Sequence, residues 1–345
     1  MIHLRLPFGG GPRPRSISGA GMTVKHWGEH QRRDYGTVSD ARDAGAPLAD
    51  SQLTGKGRYV RIVEVSPRDG LQNVPPPAVP TELKRELVER LLAAGVKNIE
   101  VGSFVRGDWV PQLEEEWKSK GGKERLTDEI AVFVAATEAF SQANNHAPIA
   151  KVLSALPAVI SKAASHGLRT RGYVSCVMTC PYSGPTPPEQ VVDVAQKLLE
   201  YGCYEVSLGD TTGEGNPEAW RVLWEEVERR GLPMDKVAAH CHDTFSMALS
   251  SILTLLPRGL HTIDSSLAGL GGCPYSPGAT GNVPTEDVVY ALHKLGYQTG
   301  IDLDKLVEAG NWLAERLGIR NESRVGRAIW ARRKAREQKE RKAAE

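Results

Sequence analysis

From residue 58 to about 327 the chain alternates short β-rich runs with amphipathic helical stretches. That alternation constrains the fold more than any other feature of the sequence. YVRIVEV (59–65), NIEVGSF (98–104), EIAVFVAA (129–136), RGYVSCVM (171–178), YEVSLGD (204–210), KVAAHCHD (236–243) and HTIDSSLAG (261–269) read as strands. TELKRELVERLLAAG (81–95), a pattern over 151–166, PPEQVVDVAQKLLEYG (187–202), NPEAWRVLWEEVERRG (216–231), MALSSILTLLPRG (247–259) and PTEDVVYALHKLG (284–296) read as helices. Pro or Asn often opens a helix and Gly closes it, as end-capping favours. Strand and helix units with short connections give parallel strands covered by helices. The two architectures that follow are an eight-fold TIM-type barrel and an open doubly wound sheet.

Seven strands are convincing. Between Trp109 and Glu129 the segment LEEEWKSKGGKERLTD is polar and has no buried-strand pattern. A barrel built on this chain is therefore expected to lack its third βα unit, or to carry a degenerate one.

Composition narrows the function. The 345 residues are 40% hydrophobic and 25% charged, which is ordinary globular material. A net charge of +1 gives no global field for nucleic acid or membrane. No apolar run approaches the roughly 18 residues that span a bilayer. Five cysteines, at 176, 180, 203, 241 and 273, do not make a secreted disulfide framework. Cys176 and Cys180 read as strand-end thiols rather than as half of a zinc site, since no second pair accompanies them. Residues 1–56 are rich in Gly, Ser, Pro and Arg, and Arg5, Arg13, Arg15 and Lys25 precede the first acidic residue, Glu29. That bias suits a mitochondrial targeting segment, with a disordered extension as the alternative. Three parts are expected: this extension, a barrel over 57–330, and a charged tail, ARRKAREQKERKAAE, over 331–345.

In a parallel barrel the reactive groups gather at the C-terminal strand ends, where the βα loops open. The first strand ends in SPRDGLQN, bringing Arg68, Asp69 and Gln72; the second brings Glu100; YEVSLGD ends in Asp210. AAHCHD brings His240 and His242. Alternation puts these two imidazoles on one face and Cys241 on the other. Two inward imidazoles repel if both are charged and waste polar capacity if merely buried. A shared cation removes both problems. Asp69 adds an oxygen anion, and Asn282, in GATGN after the last strand, adds a neutral oxygen. Two oxygen and two nitrogen donors without thiolate suit Mg²⁺ or Mn²⁺ with room for substrate oxygens, and disfavour structural zinc. Arg68, beside Asp69, is placed either for a barrel-end salt bridge or to hold a developing oxyanion. Cys273, in the glycine-rich GLGGCPY, sits in a loop of the kind used as a lid, and its thiol can serve as acid or nucleophile.

The stretches VEVSPRDGLQN, IEVGSFV, RGYVSCVMTCPY, GCYEVSLGDTTGEG, AAHCHDT and SSLAGLGGCPYSPGATGNVPTED resemble the 3-hydroxy-3-methylglutaryl-CoA lyases over most of 58–327. The GLGGCPY…GATGN element is the specific part. Related metal-dependent barrels that make isopropylmalate or homocitrate share the RDG-Q and H-x-H features but not the cysteine loop. The resemblance implies cleavage of the acyl-CoA thioester into acetoacetate and acetyl-CoA, in leucine degradation and ketone-body formation. It implies Asp69, His240, His242 and Asn282 as metal ligands and Arg68 as the group that polarises the thioester carbonyl. Cys273 would be the general acid. Glu100, Tyr173 and Asp210 fall at positions the family uses around the site, with Gln72 and Tyr173 on the substrate side. His240 and Asp210 are both candidates for the hydroxyl proton. A homodimer in the mitochondrial matrix, or alternatively the cytoplasm, is the expectation from the family. Where the chain departs from the pattern, Val74 replaces an acidic residue and the ending KAAE lacks both the terminal thiol and a peroxisomal tripeptide. The readings that compete are a condensing synthase of the same superfamily and a catalytically weak barrel that serves as a binding partner.

Overall fold

A computed structural model of the chain describes residues 58–74, 79–102, 128–272 and 281–345. The sheet strands are β1 (Arg61–Glu64), β2 (Asn98–Ile99), β3 (Glu129–Ala135) and β4 (Arg169–Ser175). After a small hairpin, β5 (Thr179–Cys180) and β6 (Gly184–Pro185), come β7 (Glu205–Asp210), β8 (Val237–Cys241) and β9 (Thr262–Ser265). Seven of these form one parallel sheet in the order β2-β1-β9-β8-β7-β4-β3. This is the cyclic order of a barrel with β2 and β3 at its two ends. The residues that join those ends in the chain, 103–127, contain the polar stretch and lie outside the described residues.

Side-chain contacts show that the sheet curls. Arg171 on β4 reaches Asp264 on β9 at 2.8 and 3.1 Å, although β7 and β8 lie between them. In a flat sheet these strands would stand about 14 Å apart, three spacings of roughly 4.8 Å. A doubly wound sheet is thereby set aside in favour of the barrel architecture.

The two faces of the curled sheet differ. The convex face carries Ile62, Val132, Val134, Val174, Val206, Leu208, Val237, Ala239 and Ile263, all buried beneath the helices. The concave face carries Arg61, Arg171, Tyr173, Glu205, Ser207, His240 and Asp264. Barrel interiors are usually filled by branched apolar residues. Here the middle of the interior is an ion-paired network instead.

Each helix buries one stripe. In α1 (Thr81–Ala93), Leu83, Leu87 and Leu91 are buried at the helical spacing, and each contributes about 1.5–3 kcal/mol. The helices α2 (Glu138–Asn145), α3 (Ile149–Ser165), α4 (Pro188–Glu200), α5 (Pro217–Arg229), α6 (Ala248–Leu255) and α7 (Thr285–Lys294) continue the layer. Asn216 caps α5 by accepting from the amides of Glu218 and Ala219, with Pro217 in the first turn. Two helices were not expected from periodicity: α2, and α8 (Leu303–Leu317) beyond the last barrel unit. The C-terminal helix α9 (Arg324–Ala344) runs through the boundary expected at 330/331. The charged tail is thus the exposed continuation of a helix whose first turns pack on α7 and α8.

Candidate active site

The site begins where β1 ends. Gly70 N donates to Val65 O at 3.1 Å, five residues back, so Ser66–Gly70 forms a wide π-type turn. Such turns redirect side chains and recur at functional sites. This one turns both Arg68 and Asp69 into the mouth of the sheet, and both are buried. Leu71 seats the turn in the core and Gln72 Nε2 reaches back to Asp69 Oδ1 at 2.5 Å. Gln72 therefore braces Asp69.

His240, near the end of β8, and His242 just past it come to the same place, with ring centroids 5.3 Å apart. One ligand atom from each of Asp69, His240 and His242 lies within 4.8 Å of the others, and all three residues are buried. Asn282 joins them through backbone pairing. His242 bridges Asn282, Val283 N donates to Cys241 O at 3.0 Å, and Asp243 N donates to Gly281 O at 3.0 Å. Asn282 Nδ2 donates to Asp69 Oδ2 at 2.7 Å and to Leu270 O at 3.2 Å. All four residues in the ligand set read from the sequence thus meet at one end of the sheet.

Glycines permit this close approach. A Cβ on Gly271, whose φ is +127°, would lie 2.6 Å from Asn282 Nδ2. A Cβ on Gly281 would overlap the carbonyl of Gly269. Asn73 Nδ2 donates to Gly272 O at 3.1 Å, so the chain just before Cys273 is tied to the turn that carries Asp69. Cys273 itself lies outside the described residues, as does the extension 1–56.

The donor set fits a hard divalent cation. Burial opposes ionisation of Asp69, but Arg68, His240 and His242 outweigh it and hold the carboxyl below its ordinary range. Burial and the neighbouring His240 push His242 down to about 4, leaving its imidazole neutral and able to donate a lone pair. Among the described residues, His242 Nδ1 and Asn282 Oδ1 are buried with no hydrogen-bond partner. Orphaned acceptors of this kind cost free energy unless something binds them.

Arg68 completes the mouth. Its Nη2 donates to Glu100 Oε2 at 2.8 Å and its Nη1 to Asp69 Oδ1 at 3.1 Å. Burial would favour the neutral form, but Glu100 and Asp69 more than offset it, so Arg68 stays charged. The Arg68 guanidinium lies 5.5 Å from the Phe133 ring, which stacks on Tyr173 with centroids 4.6 Å apart. Tyr173 Oη donates to Glu100 Oε2 at 3.4 Å and accepts from Arg171 Nη1 at 2.5 Å.

Asp210 corrects the expectation. On β7, Glu205, Ser207 and Gly209 face the concave side, so Asp210 faces the convex side with Val206 and Leu208. Its two carboxylate oxygens accept from Gly213 N at 3.1 Å and Gly215 N at 2.8 Å. Burial pushes it up to about 6. Asp210 therefore ties down the loop after β7, whose Gly213 abuts His242 O and Thr244, and it is not brought to the cluster. Cys176 and Cys180 are buried beside Phe140 and are not in a disulfide, consistent with their reading as strand-end residues.

Sequence reasoning missed Asp264. It is fully buried on β9, directly opposite His240 in register, and its Oδ2 lies 3.3 Å from His240 Nδ1. The signal was present: HTIDSSL places an acid on the same strand face as Thr262, midway along a buried run.

Residues 123–313 match the HMGL-like family. A cytoplasmic 3-hydroxy-3-methylglutaryl-CoA lyase from Rattus norvegicus is 42% identical over 81% of this chain and 87% of its own. The chain belongs to the 3-hydroxy-3-methylglutaryl-CoA lyase family. Within that family, the hydroxymethylglutaryl-CoA lyase structure from Pseudomonas aeruginosa superposes with a TM-score of 0.76 at 44% identity. It covers 81% of this chain and 99% of that one. An HMG-CoA lyase from Acinetobacter baumannii, solved with coenzyme A and 3-methylmalate, superposes at 0.72 with 28% identity, covering 82% and 97%. Family members carry both cytoplasmic and mitochondrial names, the latter in Arabidopsis thaliana for example. The fold is thus that of a family of TIM-barrel lyases.

Proposed function

We propose that this chain cleaves 3-hydroxy-3-methylglutaryl-CoA to acetoacetate and acetyl-CoA. The observation that carries the reading is the convergence of Asp69, His240 and His242 beside a buried, charged Arg68 at the mouth of the barrel. Family membership supplies the substrate class, an acyl-CoA thioester with a tertiary hydroxyl.

We assign Asp69, His240, His242 and Asn282 to a divalent ion, Mg²⁺ or Mn²⁺. When bound, it supplies Lewis acidity to the C3 hydroxyl and carboxylate oxygens of the substrate. The chain's own residues do the rest. Gln72 and Arg68 hold Asp69 in place and ionised. A general base takes up the C3 hydroxyl proton, the electron pair of the C2–C3 bond passes onto the thioester, and C3 becomes the ketone of acetoacetate. Arg68, kept charged and aimed by Glu100, takes up the enolate charge at the thioester oxygen. Phe133 packs against that guanidinium and is itself backed by Tyr173. Cys273 returns a proton to the acetyl-CoA carbon. Asp210 acts at one remove, by anchoring the loop that backs His242. The acid-poor start of the chain supports a mitochondrial location for this activity.

The test is a coupled assay for acetoacetate on chelator-stripped and reloaded protein. Cleavage should vanish on stripping and return with Mg²⁺ or Mn²⁺. Equal rates in the stripped and loaded states would refute the assignment. Release of free thiol on addition of acetyl-CoA and a 2-keto acid would favour a condensing synthase instead.

A further inference from the structure

We infer that Asp264 is a positioning residue for the metal site: its carboxylate fixes His240 in the tautomer that presents Nε2 to the cation. The inference rests on the proposal above that His240 is a ligand. The geometry is written into the backbone. His240 on β8 and Asp264 on β9 are register partners, so their side chains rise side by side on the concave face. Asp264 Oδ2 lies 3.3 Å from His240 Nδ1. An ionised carboxylate only accepts hydrogen bonds, so Nδ1 carries the proton and Nε2 keeps its lone pair. A histidine held this way is oriented and made a more basic ligand.

The carboxylate is itself fixed. Arg171 donates to both of its oxygens, Nη2 to Oδ1 at 2.8 Å and Nη1 to Oδ2 at 3.1 Å. Ser207 Oγ donates to Oδ2 at 2.8 Å. Arg171 in turn donates through Nε to Glu205 Oε1 at 2.7 Å, and Glu205 is paired with Arg61 nearer the other end of the barrel. The alternating charges Arg61, Glu205, Arg171 and Asp264 form a column through the barrel interior that ends on the Nδ1 of His240. A carboxylate present only to neutralise Arg171 would not need to stand in register with a ligand histidine.

The experiment uses the full chain and the Asp264→Asn variant, with Mn²⁺ titrated directly and free ion followed by electron paramagnetic resonance. The variant is expected to bind Mn²⁺ about ten- to a hundredfold more weakly, the usual effect of losing such a partner. A folded variant with wild-type Mn²⁺ affinity overturns the inference. A second measurement needs no substitution in the network. Proton–nitrogen correlation spectra of the Mg²⁺-loaded wild-type protein, with histidine labelled by ¹⁵N, should place the His240 proton on Nδ1 and protect it from exchange. The signal is assigned by its loss in His240→Gln. A proton on Nε2 overturns the inference even if Asp264→Asn fails to fold. Mn²⁺ binding by His240→Gln that equals wild type would overturn the ligand assignment as well. Loss of binding in His240→Gln, with undiminished binding in Asp264→Asn, would overturn the positioning role alone.

Discussion

Replacing Arg171 with Met tests the interior network at its centre. Arg171 is 2% exposed and is shared by Asp264 and Glu205, which are 0% and 2% exposed. Met keeps the length of the side chain and removes the charge. Glu205 then retains Arg61, and Asp264 retains only Ser207 and His240 among the partners described above. Stranding one side of a buried ion pair costs about 3–5 kcal/mol, against a net stability of about 5–15 kcal/mol for a domain. At roughly 2–4 °C per kcal/mol for a domain of this size, the melting temperature should fall by about 6–20 °C. The loss depends on pH with a definite sign. Burial opposes ionisation of Asp264, but Arg171 and His240 overcome it and hold the carboxyl far below its ordinary range. A folded-state pKa below the unfolded one contributes stability that is present above the unfolded value, about 3.9, and is lost as the pH falls through the folded value. Met at 171 shrinks that depression. Wild type and variant should differ most at neutral pH and converge as the pH drops below about 4. Thermal unfolding followed by circular dichroism at neutral and acid pH measures both effects. A variant that melts with the wild type at neutral pH, or a gap that persists unchanged into acid, would refute the reasoning.

Gly281→Ala should cripple the site from a distance, because its Cβ would overlap the Gly269 carbonyl and displace Asn282; titration should show weakened Mn²⁺ binding, and unaltered binding would mean the loop accommodates the methyl. Cys273→Ser and His240→Ala should each lower turnover by about two orders of magnitude or more in the acetoacetate assay, the scale for losing an acid–base or ligand group; near-native rates would remove the assigned role. Burial, with Glu64 and Asp287 adding to it, pushes Glu286 up to about 8. Its raised pKa makes wild-type stability fall as the pH climbs from about 5 to 8, so in urea unfolding the stability of Glu286→Gln relative to wild type should rise over that range and level off above it; a relative stability that stays flat or falls over that range would contradict a neutral Glu286 carboxyl.

The barrel was legible because its outer face obeys a simple rule. Val, Ile and Leu on the convex face mark the strands, and Pro or Asn followed by an apolar stripe marks the helices. The cluster of Asp69, His240 and His242 was legible because H-x-H and RDG-Q put reactive groups at strand ends, where parallel strands open. Parity was the information left unused. Counting outward from Ser207 places Gly209 inside and Asp210 outside, which separates Asp210 from the histidines although both lie at strand ends. The same counting would have drawn Arg171, Glu205 and Asp264 into one interior column. Each looks like an unremarkable charge in its own strand, and only the register of β4, β7, β8 and β9 shows that they face one another. The helix α8 escaped because the β/α alternation had already ended before it.

The site and the curvature of the sheet support each other. Arg68 follows β1, Glu100 follows β2, Phe133 lies on β3 and Tyr173 on β4. The contacts from Arg68 to Glu100 and Phe133, and from Tyr173 to Glu100, therefore join the two terminal strands of the seven-stranded sheet at its C-terminal mouth. A second link, Arg171 to Asp264, spans the middle of the interior. Arg68, the group assigned to the enolate, thus also helps to hold opposite ends of the sheet together at the mouth. Charge placed for chemistry at the mouth is stabilised by charge buried below it, and the apolar residues that would otherwise fill a barrel interior are displaced to the convex face. The geometry of the Asp69, His240 and His242 cluster is thus tied to the wiring of the barrel interior, through the register pair of His240 and Asp264 and the hold of Arg171 on Asp264.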